Sequence, residues 1–248
     1  MVIIKTAEEI EKISISARLV ATALQLIKLE AKPGTSTLKL NKLAEEFVYD
    51  NDATPSFKGY RGFPYSICSS RNDEVVHGFP SDIPLESGTL LSIDFGVLKN
   101  GYHGDAAITF GVGRLSTQVE KLKRITEECL YRGIEQAVPG NRVGDISYAI
   151  QTHAENNKFG VVRHFVGHGI GRSLHEKPQI PNVGQAAKGL LLKEGMVLAI
   201  EPMLTLGTHE IKTMLDGWTV KTKDGSYAAH FEHTIVVTKY NPKILSLI

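Results

Sequence analysis

Two Pro-Gly pairs, Pro33-Gly34 and Pro139-Gly140, each end one helical stretch and lead into a second helix and then strands. This repeated plan constrains the fold more than any other feature. Ahead of the first pair, Thr6 and Glu9 have the spacing of a capping box. Behind them Ile10, Ile13, Ala17, Val20, Leu24 and Ile27 recur every three or four residues, the mark of one apolar helix face. Leu40, Leu43 and Phe47 then define a shorter helix. In the second half Thr117 and Glu120 repeat the capping pattern, and Val119, Leu122, Ile125 and Cys129 supply the stripe. Asp145 is placed to cap the next helix, with Ile146, Ala149 and Ile150 inward. Strand-like sequence follows each helix pair: Thr89 to Val97 and Tyr102 to Val112 around Lys99-Asn100-Gly101, then Met196 to Leu204 and Ala228 to Thr238. The pattern predicts an α+β fold of two similar halves, roughly 1–112 and 113–248, sharing one sheet. No low-complexity linker separates them, which favours a single unit over 1–248.

Composition removes several function classes. The net charge is +1 and neither half carries a basic run, so the electrostatic footprint of a nucleic-acid binder is missing. No apolar run approaches the length of a membrane span, and the start, MVIIKTAEEIEK, lacks the apolar core of a secretory signal. Cys68 and Cys129 are the only cysteines, too few for a disulfide framework, and read as reduced thiols of a cytoplasmic protein.

The chemistry lies in charged groups where strands disfavour them. Asp94 sits within the apolar run Leu90 to Phe95, and Asp105 begins the returning strand. A two-residue turn at Asn100-Gly101 makes them diagonal neighbours on one sheet face. A turn at Lys99-Asn100 makes them direct partners, and either register puts both carboxylates on the same side. Two such carboxylates repel unless a proton or cation lies between them. His168 stands among glycines in Gly167-His168-Gly169-Ile170-Gly171, where backbone can approach closely. Glu201 ends the run Leu198-Ala199-Ile200 ahead of Pro202, and Glu232 interrupts Ala228 to Val237 between His230 and His233. Singly, each is matched by a bland reading: a paired strand carboxylate or a loop histidine. Together, four carboxylates and one imidazole suit a pair of divalent ions such as Mn, Fe, Co or Zn rather than a thiolate-rich structural zinc. No HExxH, Gly-x-Ser-x-Gly or paired CxxC competes with that reading.

The segments Ser92-Ile93-Asp94, His103-Gly104-Asp105, Gly167 to Gly171, Ala199-Ile200-Glu201-Pro202-Met203 and Phe231-Glu232-His233-Thr234 resemble those of type I methionine aminopeptidases in order and spacing. The resemblance runs over essentially the whole chain. It extends to the wider pita-bread fold of aminopeptidase P and prolidase: two pseudo-twofold-related halves around a curved antiparallel sheet, with helices on the outer face. Those relatives carry a further N-terminal domain, and the eukaryotic cytosolic enzymes a zinc-binding extension. This sequence has neither and resembles the bacterial short form.

The resemblance implies a methionyl aminopeptidase that removes the initiator methionine from nascent proteins by dinuclear-metal-activated attack of water on the first peptide bond, preferring small second residues. It implies that Asp94 chelates one ion, Asp105 and Glu232 bridge both, and His168 and Glu201 hold the second, with Glu201 also general acid/base. His77, in Val75-Val76-His77-Gly78, matches the histidine near the scissile amide. His175, in Leu174-His175-Glu176, matches the one that binds the substrate carbonyl or its oxyanion. Tyr60, Phe63, Cys68, Leu174 and Trp218 would line the methionine pocket, although some family members carry Phe and Tyr at the positions of Leu174 and Phe63. The implied partners are nascent N-termini, with monomer the default state and ribosome docking left open.

Overall fold

Residues 2–248, which this computed structural model describes, contain helices α1 (Ala7–Glu30), α2 (Thr37–Asp50), α3 (Thr117–Glu135) and α4 (Val143–Asn156). At the start of α1, Thr6 Oγ1 accepts from Glu9 N–H at 3.2 Å and Glu9 Oε2 accepts from Thr6 N–H at 3.0 Å, as the capping pattern predicts. The cap of α3 is one residue earlier than expected. Ser116, extended at φ −68°, accepts from Val119 N–H, and Thr117 is already helical. Asp145 is not the cap of α4. It lies within the first turn, where Oδ2 accepts from Arg142 N–H at 2.7 Å and Oδ1 from Ala187 N–H at 2.7 Å. The inward stripe of α2 is rotated: Leu40, Ala44 and Val48 are buried, while Leu43 and Phe47 are half-buried.

Both halves contribute to one nine-stranded sheet in the order Thr54–Pro55, Thr89–Lys99, Tyr102–Val112, Glu232–Val236, Val197–Ile200, Gly167–Gly169, Glu176–Ile180. Ile67–Arg71 also pairs with Thr89–Lys99, and Lys243–Ile244 with Glu232–Val236. The predicted hairpin closes at Asn100-Gly101, both left-handed (φ 53° and 75°), as a tight two-residue turn requires. This turn sets Lys99 opposite Tyr102, Asp94 opposite Ala107 and Gly96 opposite Asp105. Of the two registers the sequence allows, the diagonal one forms.

Strand alternation then decides which way each residue faces. Leu91, Ile93, Phe95 and Val97, with Ala106, Phe110 and Val112, pack against Val20, Leu24 and Ile27 of α1 and Leu40 and Val48 of α2. In the second half Leu198, Ile200, Ile235 and Val237 pack against α3 and α4 through Leu122, Ile125, Cys129, Ile146 and Ile150. The alternate positions, Asp94 and Asp105 in the first half and Glu232 in the second, therefore face away from the helices.

The long strands expected over Met196 to Leu204 and Ala228 to Thr238 are each two shorter ones. Val197–Ile200 and Glu232–Val236 pair in the main sheet. Met203–Thr205 and Ala228–His230 pair with each other in a separate three-stranded sheet completed by Gly160–Val161. The breaks have a local cause: Pro202 has no N–H for the ladder, and Phe231 N–H turns to the Pro202 carbonyl at 3.3 Å. Glu201 and Glu232 stand at these breaks, where the chain passes from one sheet to the other.

Candidate metal centre

Across the helix-free face the cross-strand pairs form two adjacent rows. One runs Cys68, Asp94, Ala107, Glu232, each opposite the next. The second contains Gly96 opposite Asp105, then Thr234 opposite Ala199 opposite His168. Ala107 and Ala199 fill the positions between acidic groups and imidazole with almost no side chain, so the ligand atoms can meet, while Gly96 makes room for Phe57 and Ser56. One donor atom each of Asp105, His168 and Glu232 lie within 4.8 Å of one another. Glu201 Oε1 is 3.7 Å from His168 Nε2.

The first residues around this cluster fix its backbone. Thr234 Oγ1 accepts from Asp105 N–H at 3.1 Å and donates to the Asp105 carbonyl at 2.7 Å, replacing a ladder bond. Asn182 Nδ2 donates to the Glu201 carbonyl at 3.1 Å. His168 Nδ1 lies 2.9 Å from the Gly169 carbonyl. A carbonyl can only accept, so Nδ1 carries the proton and the Nε2 lone pair is free toward Glu201.

The electrostatics call for a cation. Asp105 and Glu232 are buried and Asp94 is half-buried, and each has a buried oxygen with no hydrogen-bond partner (Oδ1, Oε1 and Oδ1 respectively). Burial pushes Asp94 up to about 7. Burial, and then repulsion from the neighbouring carboxylates, holds Asp105, Glu201 and Glu232 well above the usual carboxylate range. Burial holds His168 down to about 4, which keeps it neutral and able to ligate. Orphaned carboxylate oxygens facing a free imidazole lone pair fit divalent cations bound mainly through oxygen.

The site opens into a cavity of about 330 Å³. Asp94, Asp105, His168, Glu201 and Glu232 line it together with His77, His175, Tyr60, Phe63, Cys68, Leu174 and Trp218. All the site residues expected from the sequence thus share one chamber. Phe57, Arg61, His164, Phe165, Val166 and Gln179 also line it and were not expected. Phe57, Phe63, Cys68 and Leu174 form a buried apolar cluster with Tyr60 and Trp218 at its margin, and the Phe63 and Trp218 rings meet edge-on at 5.1 Å. His77 adopts a left-handed backbone (φ 59°), uncommon for a residue with a Cβ and a pointer to function. Burial holds it down to about 4, with its ring edge-on to Phe165 at 5.2 Å. His175 Nδ1 lies 2.9 Å from Tyr60 Oη, and the His168 and His175 rings are 4.3 Å apart.

A match to metallopeptidase family M24 spans residues 11–239. The chain belongs to that family. Among M24 proteins it stands with the methionine aminopeptidases. It is 50% identical to the methionine aminopeptidase of Clostridium perfringens, with the whole of both chains covered. It superposes on the crystal structure of the Thermotoga maritima methionine aminopeptidase with a TM-score of 0.99 at 42% identity, again over all of both chains. Prolidase from Pyrococcus furiosus is similar at a TM-score of 0.82 and 26% identity, over 99% of this chain and 66% of that one. The pita-bread M24 fold is therefore shared by methionine aminopeptidases and a prolidase, and the chain's sequence identity is higher to the former. Among the described residues no helix is long and apolar enough to cross a membrane.

The glycines around His168 make this M24 centre sensitive to a single methyl group. A Cβ at Gly169 would lie 2.3 Å from the Lys177 carbonyl oxygen, a backbone atom that cannot swing aside. Gly169→Ala is expected to push the Gly167–Gly169 strand from its neighbour, cost about 1–3 kcal/mol of stability and weaken metal binding by moving His168. Thermal melts and metal titration of the variant check this. Unchanged metal affinity would show that His168 is not held by that packing.

Proposed function

We propose that the chain is a methionyl aminopeptidase that removes the initiator methionine from nascent proteins in the cytoplasm, with small second residues preferred. The observation that carries this reading is the placement of the carboxylate–imidazole cluster at the floor of a chamber whose wall is apolar and sulfur-bearing. Asp94, Asp105, His168, Glu201 and Glu232 would hold two divalent ions drawn from Co, Mn, Fe and Zn. Bound there, such ions acidify water and polarise a carbonyl. Asp94 would bind one ion, His168 and Glu201 the other, and Asp105 and Glu232 both. The buried orphan oxygens and the shared rows of the sheet support that division.

The chain's own groups would do the rest. Phe63, Cys68 and Leu174, with Tyr60 and Trp218 at the margin, enclose an unbranched thioether side chain and exclude water from it. Glu201, half-buried and held well above the usual carboxylate range, is suited to take a proton from the attacking water and return it to the departing amine. His175 would donate to the developing oxyanion. That role requires the tautomer in which Tyr60 Oη donates to Nδ1, 2.9 Å away, and Nε2 carries the proton. His77, neutral and held in the same chamber, would contact the scissile amide. The whole chain acts as one catalytic unit in this reading, a monomer whose partners are nascent N-termini, with any ribosome contact transient.

Hydrolysis of Met-Ala-Ser against Xaa-Pro peptides, by metal-loaded and chelated protein, tests the reading. Release of methionine only by the loaded protein is expected. An intact Met-Ala-Ser peptide with cleavage of the Xaa-Pro substrate would assign the chain to the prolidase branch instead.

A further inference from the structure

Lys5 is buried, although it lies only a few residues from the start of the chain. Its Nζ meets Glu176 Oε2 at 2.5 Å, with the two side chains 2% and 9% exposed. Glu176 directly follows His175, and its Oε1 accepts from Ser173 N–H at 3.2 Å, closing the loop that carries His175. The far end of this loop is tied down by His103 N–H donating to the Gly171 carbonyl at 2.8 Å. The backbone of Lys5 reaches the other way. Its N–H donates to the Gly195 carbonyl at 2.8 Å, in the turn that feeds Val197–Ile200 and so delivers Glu201. A Cβ at Gly171 would lie 2.5 Å from Lys5 Nζ and 2.7 Å from Glu176 Oε1, so the pair packs directly against this glycine at the start of the His175 loop.

Stability gives little reason for such a pair. Burying two charges costs desolvation that their attraction repays only in part, and an apolar pair of similar volume is often as stable. The location supplies a reason: Lys5 joins the His175 loop to the strand ahead of Glu201, and no other residue spans that gap with both its backbone and its side chain among the hydrogen bonds described for residues 2–248.

We propose that Lys5 is a positioning residue. Through Glu176 it fixes the loop that aims His175 at the substrate carbonyl, and through its backbone it registers that loop against Glu201. The inference rests on the role given to His175 above. A shift of about 1 Å at a reacting group can cost roughly 100-fold in rate, so a slackened loop affects turnover before it affects folding.

The test uses the metal-loaded full chain and the peptide Met-Ala-Ser. The double variant Lys5→Met/Glu176→Gln removes both charges together, so that no buried charge is left without its counterpart. Glu176→Gln alone keeps an acceptor for Ser173 N–H but turns an amide N–H₂ toward the buried Lys5 ammonium, so it is the harsher second variant and is read with a melting curve that shows it folded. Both are expected to retain metal content and KM while kcat falls, by roughly 10- to 100-fold in the double variant. In a His175→Ala background the same changes are expected to cost nothing further, because they act through a side chain already removed. A folded double variant with full kcat overturns the positioning role alone. A loss that adds in full to that of His175→Ala also overturns it, since it assigns the pair a purely structural effect. Full activity of His175→Ala instead overturns the role of His175, and the proposal with it.

Discussion

Glu201→Gln is expected to lower turnover of Met-Ala-Ser by roughly 10²- to 10⁴-fold, the range for loss of a general acid/base, while the protein keeps its fold. Glutamine has nearly the same shape, and the bond from Asn182 Nδ2 goes to the main-chain carbonyl, so the substitution leaves the backbone support of residue 201 in place. What disappears is one half-buried negative charge and one proton-accepting group. The first loss should raise the melting temperature of the metal-free protein, because Glu201 lies among carboxylates that repel it. The second should abolish proton transfer between water and leaving amine. Steady-state rates at matched, measured metal content, with a melting curve for each protein, separate the two effects. Retained turnover in a folded, metal-loaded variant would take Glu201 out of proton transfer and leave it a ligand at most.

The helices and the hairpin were legible in the sequence because their signals are local. The apolar stripe of α1, the Thr6–Glu9 cap and the Asn100-Gly101 turn each involve residues only a few positions apart. Where two local solutions compete, the reading slipped. Ser116 and Thr117 can both cap α3, and the one with extended backbone does so. The strand breaks were not legible. Leu198 to Leu204 is continuously apolar apart from Glu201 and Pro202, and the separate partners of its two halves, His233 with Ile200 and His230 with Met203, come from distant sequence.

The ligands show the same division. Asp94 and Asp105 were placed together by turn parity, a short-range argument. That Glu232 joins the row of Asp94, and His168 the row of Asp105, depends on pairings from the far half of the chain. Ala107 and Ala199 carry no chemical signal, yet their smallness keeps the rows open. Thr234 and Asn182 act through backbone atoms of the ligands, so their importance is visible only in three dimensions.

The second large effect expected is a metal-dependent melting temperature whose metal increment grows with pH. In the metal-free protein Asp94 has its folded pKa raised from 3.8 to about 7. A carboxyl raised in this way favours the folded state fully below its unfolded value, and the contribution is lost as pH rises through about 7. Asp105, Glu201 and Glu232, raised in the same direction by burial and by their neighbours' charges, add to that loss. The buried histidines act in the opposite sense. His77, His168 and His233 are held down to about 4 and His230 to about 3, so their contribution is complete above the ordinary 6.5 and lost on acidification. Below pH 6.5 the two sets oppose each other, whereas above it only the carboxylates still titrate. The metal-free protein is therefore expected to lose stability as pH rises from about 6.5 through about 7. Divalent cations reverse the sign, because they bind the deprotonated carboxylates and neutralise the repulsion. At metal about 1,000-fold above its dissociation constant the gain is about 4 kcal/mol, or on the order of 10 °C for a chain of this size. Melts with Mn²⁺ and with chelator at pH 6.5, 7.5 and 8.5 should diverge as pH rises. Curves that stay parallel would mean that the four acids already share compensating protons or partners, and that the face of the sheet turned away from the helices is not built for a cation.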